Sequence, residues 1–300
     1  MLLASGLLAA LAVALAVPVP IALARASWPR RSPATALVLW QSIALAGGLS
    51  MIGSLLVFGL SPFGHDLVGA GRGLIEGAGD PAPWNVLALC AALLLTVHLL
   101  LSLALTVARS EQQRRRHAQL VALLSSPVSA TTRLIDSPTP VAYCLPGPFR
   151  SITVFSAGLV SLLSERELEA VIAHEEAHVV QRHDVVLIAF RAWHAALPWF
   201  PIAYRAQREV GLLIEMLADD RARRRVDVAT LSRAIALVGT GSVGAPSAES
   251  PADNVAERVA RLGLPPLSTV REAVVVACAA GLLGIPTALL LAPALLELVA

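Results

Sequence analysis

The segment His174-Glu175-Glu176-Ala177-His178 fits the pattern H-E-x-x-H. On an α-helix, positions i and i+4 lie on one face. Two imidazoles placed there can bind one metal ion, and Glu175 between them can reach a water beside that ion. The preceding residues place the motif on such a helix. Ser164 with Glu167 three residues on makes a capping box, and Leu168, Val171, Ile172 and Val179 form an apolar stripe at helical spacing. The expected chemistry is metal-assisted hydrolysis, with Glu175 taking a proton from water and returning it to a leaving group.

A catalytic zinc site usually takes three protein ligands and keeps a fourth position open. The candidate third ligand is Glu215, in the run Glu215-Met216-Leu217-Ala218-Asp219. Asp219 shares its helical face and could accept the ring N–H of a ligating histidine. The competing reading of this pair is a solvated charged face, which the nearby Arg221, Arg223, Arg224 and Arg225 favour. His183 and His194 are candidate oxyanion donors by residue type only.

These residues sit in a strongly apolar chain. It is 56% hydrophobic and 15% charged, whereas a soluble domain is roughly half apolar and about a quarter charged. The formal charge of +2 gives no case for nucleic acid as a direct partner, and no lysine accompanies the arginines. Cys90, Cys144 and Cys278 contain no C-x-x-C and form no evident disulfide framework.

Four runs reach the roughly 20 residues that a bilayer requires. They are 1–24, 35–60, 84–108 and 273–300. The first has its arginines (Arg25, Arg30, Arg31) after the apolar stretch rather than before it, so it reads as an uncleaved span and not a signal peptide. By the positive-inside rule those arginines face the cytoplasm, as do Arg109, Arg114, Arg115, Arg116 and Arg271; the loop 61–83 faces outward. Both termini are then external. His98 within the third run reads as an interhelical donor.

The expected organisation is mainly α and polytopic. Residues 1–116 hold three transmembrane helices, 117–270 a cytoplasmic α+β domain, and 271–300 a fourth helix. Within the central region, 140–145 and 151–155 read as a small hairpin or two edge strands around Leu145-Pro146-Gly147-Pro148. Ile152 to Phe155 would then offer an edge to an extended substrate. Residues 185–204 are apolar but broken by Arg191, His194, Pro198 and Pro201, and either a buried hairpin or one dipping into the membrane fits. Residues 242–254 read as a linker.

With both motifs in place, the chain resembles the membrane gluzincin peptidases. Two branches fit: the HtpX and CAAX-prenyl protease type, and the BlaR/MecR antirepressor type. Three spans, a zinc domain and a fourth span resemble the second, as do Ala170-Val171-Ile172-Ala173, Trp199-Phe200-Pro201 and Arg258-Val259-Ala260-Arg261-Leu262. The resemblance implies a gluzincin-type zinc endopeptidase in the cell membrane, with Zn²⁺ held by His174, His178 and Glu215, Glu175 catalytic, and Asp219 orienting a ligand. It further implies a protein or peptide substrate, a winged-helix repressor being the candidate, and HtpX-like quality control is the alternative. The chain departs from the sensors in two ways. It is expected to be a short form without the extracellular penicillin-binding domain, and His183 stands where relatives often carry an aspartate. Outside the peptidases, a non-proteolytic membrane transducer competes. An intact Glu175 argues against it, since a structural metal site has no use for that carboxylate. A transporter would need ionisable residues within the spans, and these have almost none.

Overall fold

The computed structural model describes residues 1–129, 132–145, 152–239 and 251–299. Four helical segments among them are long and apolar enough to cross a bilayer: 2–25, 33–60, 83–124 and 269–291. The first divides into α1 (Leu2–Ala16) and α2 (Pro18–Arg25). Pro18 and Pro20 lack backbone N–H groups, so the hydrogen-bond ladder is interrupted and the chain bends at Val17. A 3-10 turn at Trp28–Arg31 leads into α3 (Pro33–Leu60). The connection from α3 to the next long helix is not plain loop. It contains α4 (Leu67–Glu76), capped by Asp66, whose carboxylate accepts from Val68 N at 2.8 Å and Gly69 N at 3.0 Å.

The third long helix, α5 (Pro83–Leu124), has 42 residues. At 1.5 Å per residue it is about 63 Å long, twice the thickness of a hydrocarbon core. It therefore runs well past Ala108, where the apolar stretch ends. Charge does not stop it, because Glu111 pairs with Arg114 at 2.6 Å and Arg115 at 2.7 Å on the helix surface.

A four-stranded sheet follows, comprising β1 (Ser125–Pro127), β2 (Thr132–Ile135), β3 (Ala142–Leu145) and β4 (Ile152–Ser156) in the order β1-β2-β4-β3. The expected pairing of β3 with β4 is present and antiparallel, with Ala142 opposite Phe155. Residues 146–151, which include the expected turn, lie outside the described residues. One expectation is corrected. β4 is flanked on its far side by β2, which pairs with it in parallel, so Ile152–Phe155 is not an edge. The outer strand on the opposite side of β4 is β3. The first two strands, rich in Ser, Thr and Arg, carry no alternating apolar pattern and gave no sequence signal.

The remainder is helical: α6 (Ala157–Leu162), α7 (Glu165–Val180), α8 (His183–Ala196), α9 (Pro201–Ala222), α10 (Val228–Gly239), α11 (Pro251–Leu262) and α12 (Thr269–Val299). Of the expected linker 242–254, residues 242–250 lie outside the described residues and 251–254 open α11. Two cores result. One, including Phe155, Leu159, Val171, Leu231, Ile235 and Leu262, joins the sheet to α7, α10 and α11. The other packs Trp40 and Ile43 of α3 against Phe190 of α8 and Val210, Leu213 and Ile214 of α9.

The broken stretch 185–204 is thus the α8–α9 hairpin, lying against α3 and α5. Its tip passes close to the middle of α3: a Cβ on Gly48 would stand 3.0 Å from the Trp193 indole, so any larger residue there would press the indole back. Pro198 and Pro201 are what turn the chain there. His98 of α5 sits 3.0 Å from the carbonyl of Ala196, the last residue of α8, and so serves as the expected interhelical donor.

Candidate metal centre

The capping box forms as its sequence requires. Glu167 Oε2 accepts from Ser164 N at 2.9 Å, and Ser164 Oγ accepts from Glu167 N at 3.4 Å. It starts α7 in a register that buries Ala170, Val171, Ala173 and Ala177. His174 and His178 then face α9, which packs beside α7 and delivers Glu215 and Asp219.

Three donor groups converge. His174 Nε2 and His178 Nε2 are 3.2 Å apart. Glu215 Oε2 is 3.3 Å from His174 Nε2, and Glu215 Oε1 is 3.5 Å from His178 Nε2. For ligand bonds near 2.05 Å in a tetrahedral arrangement, donor atoms should stand about 3.3 Å apart. The donor set and its spacing therefore fit a zinc ion, and His174, His178 and Glu215 are the residues that could hold it.

Each histidine is oriented through its other nitrogen. His174 Nδ1 lies 2.9 Å from Asp219 Oδ1. His178 Nδ1 lies 2.9 Å from His183 Nδ1. Asp219 thus stands where the sequence pattern places an orienting carboxylate, whereas His183 does for His178 what a carboxylate would otherwise do. The turn between α7 and α8 makes this possible: Arg182 adopts φ 51°, a left-handed conformation uncommon for a residue with a side chain, and reverses the chain onto His178. His183 consequently faces a ligand rather than a substrate carbonyl. His194 stacks near Tyr204, their ring centroids 5.8 Å apart, in the far part of the hairpin. Neither is placed as an oxyanion donor.

Arg258 is the residue whose role the sequence did not disclose. From α11 it clamps Asp219 with two bonds, Nε to Oδ2 at 2.9 Å and Nη2 to Oδ1 at 2.7 Å, and its Nη1 stands 3.2 Å from Glu215 Oε2. Asp219 is fully buried, so this fork is what makes its charge tolerable there. Arg261 fixes the same helix by donating to the carbonyl of Met216 at 3.0 Å, to the carboxylate of Asp220 and to the carbonyl of Arg30.

The electrostatics follow from burial and these contacts. Burial disfavours charge on His174, but the carboxylates of Asp219 and Glu215 outweigh it and raise its pKa to about 10. Burial would raise Glu215 and Asp219. For Glu215, the hydrogen bond from His174 and the charge of Arg258 dominate and hold it well below the usual carboxylate range. For Asp219, the Arg258 fork leads, with His174 behind it. Burial pushes His178 down to about 4, keeping its ring neutral as a metal ligand must be. Glu175 is pushed up to about 7, chiefly by burial, with the backbone N–H of Cys144 on β3 donating to it. The field that attracts a proton to His174 is one that also attracts a cation.

Two histidines one helical turn apart, a glutamate arriving from a second helix and a carboxylate of raised pKa beside them define a metallopeptidase class of site. Residues 107–260, just over half of the chain, match peptidase family M48. The chain belongs to that family and is a peptidase. No curated protein and no solved structure matches it.

The Arg258 clamp generates a prediction. Arg258→Met removes the partner of a buried carboxylate and should cost about 3–5 kcal/mol of stability, read as a lowered melting temperature of the purified protein. Arg258→Lys should recover only part, because a single ammonium cannot reproduce the two-point fork.

Proposed function

We propose that this M48 peptidase is an integral-membrane zinc endopeptidase with its site on the cytoplasmic side, acting in regulated proteolysis of a cytoplasmic transcriptional repressor. The observation that carries the enzymatic part is the convergence of His174, His178 and Glu215 at zinc-ligand spacing, with Glu175 beside them. A zinc ion in this place supplies Lewis acidity, polarising a peptide carbonyl and acidifying a water. The chain's own residues do the rest. Asp219 and His183 hold the two imidazoles in orientation. Glu175 accepts the proton of the attacking water and delivers it to the leaving amine. The outer strand β3, whose Cys144 N–H meets Glu175, is the edge along which an extended substrate would pair.

The four long apolar segments and the arginine distribution support the topology: three spans, a cytoplasmic domain at 117–270 and a fourth span at 271–300, with both termini outside. That arrangement supports the antirepressor-type reading. A second reading, HtpX-like quality control, draws its support from the M48 match, which ties the chain to peptidases rather than to sensors.

Three outcomes are expected. Glu175→Gln should retain stoichiometric zinc, measured by metal analysis, yet leave a co-expressed winged-helix repressor uncut. Equal repressor processing by wild type and variant would remove the protein as its protease. The acid side of the kcat/KM profile should follow Glu175, whose carboxyl must be ionised to accept a proton. With its pKa raised to about 7, and a bound cation able only to lower it, activity on a fluorogenic peptide should hold down to about pH 7 and decline only below it. An acid limb centred above about pH 7 would assign that limb to another group. A reporter fused after Arg116 should be cytoplasmic and one near Gly71 external; the reverse would overturn the orientation.

A further inference from the structure

A cavity of about 370 Å³ lies between α1, α3, α5 and the α8–α9 hairpin. This is within the size range of small-ligand sites, about 300–1,000 Å³. Its position is deep. Trp193, on its wall, meets α3 at Gly48, about 22 Å along that helix from Pro33 at 1.5 Å per residue. His98, which meets the end of α8, is likewise about 22 Å along α5 from Pro83. With a hydrocarbon core of about 30 Å, the hairpin tip lies near mid-bilayer if these helices are spans.

The tip is built for such a place. Backbone polar groups in hydrocarbon must find partners within the protein. Pro198 and Pro201 have no N–H to satisfy. Leu197 N bonds Trp193 O at 3.0 Å and Phe200 N bonds Leu197 O at 3.0 Å, while His98 serves the carbonyl of Ala196.

We propose that this cavity is a binding site for a single acyl chain of a bilayer phospholipid. Every side chain lining it is apolar, from Leu15 and Trp40 through Phe190 and Trp193 to Trp199 and Ala206. A peptide would leave its N–H and C=O groups unpaired against such walls, and a headgroup would leave its charge so. A hydrocarbon chain has neither. The cavity is continuous with the lipid-facing surface of the molecule: Leu95 lines it, between the exposed Leu94 and Val97 of α5, and Trp199 at its rim is 76% exposed. Left empty, its walls would forgo dispersion contacts that a chain supplies. The site lies beside a helix that reaches the candidate metal centre, since α8 contributes Phe190 and Trp193 to the wall and begins at His183, against His178.

The proposal rests on the reading of the long helices as spans, and the test separates the two. Trp40 lines the cavity yet is only 2% exposed, whereas Leu94 of α5, beside the cavity-lining Leu95, is 69% exposed. The full-length protein is reduced to Trp40 alone by Trp→Phe changes at 28, 84, 193 and 199, and a companion with all five Trp→Phe changes carries Leu94→Trp as its one indole. Each is reconstituted in phosphatidylcholine vesicles with plain or brominated acyl chains. Trp40 should lose most of its emission in brominated vesicles and regain it when Ala203→Leu with Ala44→Phe, or separately Gly47→Leu, fills the cavity. Unchanged Trp40 emission beside a quenched Leu94→Trp companion overturns the site, as does quenching of Trp40 that persists in both filled variants. An unquenched Leu94→Trp companion removes the spans, and the site with them.

Discussion

The buried carboxylate of Asp219 is the constraint on which the catalytic half of the molecule rests. A charge taken out of water is costly unless it is paired and hydrogen-bonded on several sides. Asp219 meets this with the Arg258 fork on one side and His174 on the other. Three helices are thereby held together: α7 through His174, α9 through Asp219 itself, and α11 through Arg258. The same guanidinium reaches Glu215, so the third candidate ligand is positioned by the group that makes the orienting carboxylate tolerable. Two carboxylates one helical turn apart would repel each other without that cation between them.

How far the sequence disclosed this depends on how local each interaction is. The capping box, the helix of the H-E-x-x-H motif and the pairing of Glu215 with Asp219 are set within single helices, and their spacing made them readable. The Arg258 clamp spans 39 residues and joins two helices, so no periodicity announced it, although the run from Arg258 to Leu262 stood out as a motif. His183 was visible as a departure from a pattern. Its role depends on the positive φ of Arg182, and a left-handed arginine leaves no trace in composition. The sheet shows the same division. β3 and β4 have β-branched and aromatic residues, while β1 and β2 are strands because β4 and each other supply their hydrogen bonds. The β3–β4 pair alone presents β4 as an edge, whereas β2, which carries no such pattern, covers it.

The segment 185–204 shows how one signal can carry two meanings. Two prolines and two ionisable residues interrupt an apolar run, and by length and content it is a poor span. In the fold, those interruptions are the hairpin. The prolines reverse the chain while reducing the number of backbone donors at the tip, and a histidine from α5 supplies the carbonyl partner. A clean run of the same length would have continued as one helix past the level at which α9 must turn back to bring Glu215 to the metal centre.

The hairpin also ties the peptidase domain to the long apolar helices. α8 begins at a ring nitrogen of His178 and ends beneath His98; α9 begins beside the cavity and ends with Glu215 and Asp219 within its last two turns. Both helices that frame the centre are therefore anchored at their far ends among the apolar helices, not by a separate scaffold. Trp193 of α8 stands against Gly48 of α3, and the other end of the same helix stands against His178. A movement of α3 that shifts Trp193 would therefore act on a helix whose first residue touches a candidate metal ligand.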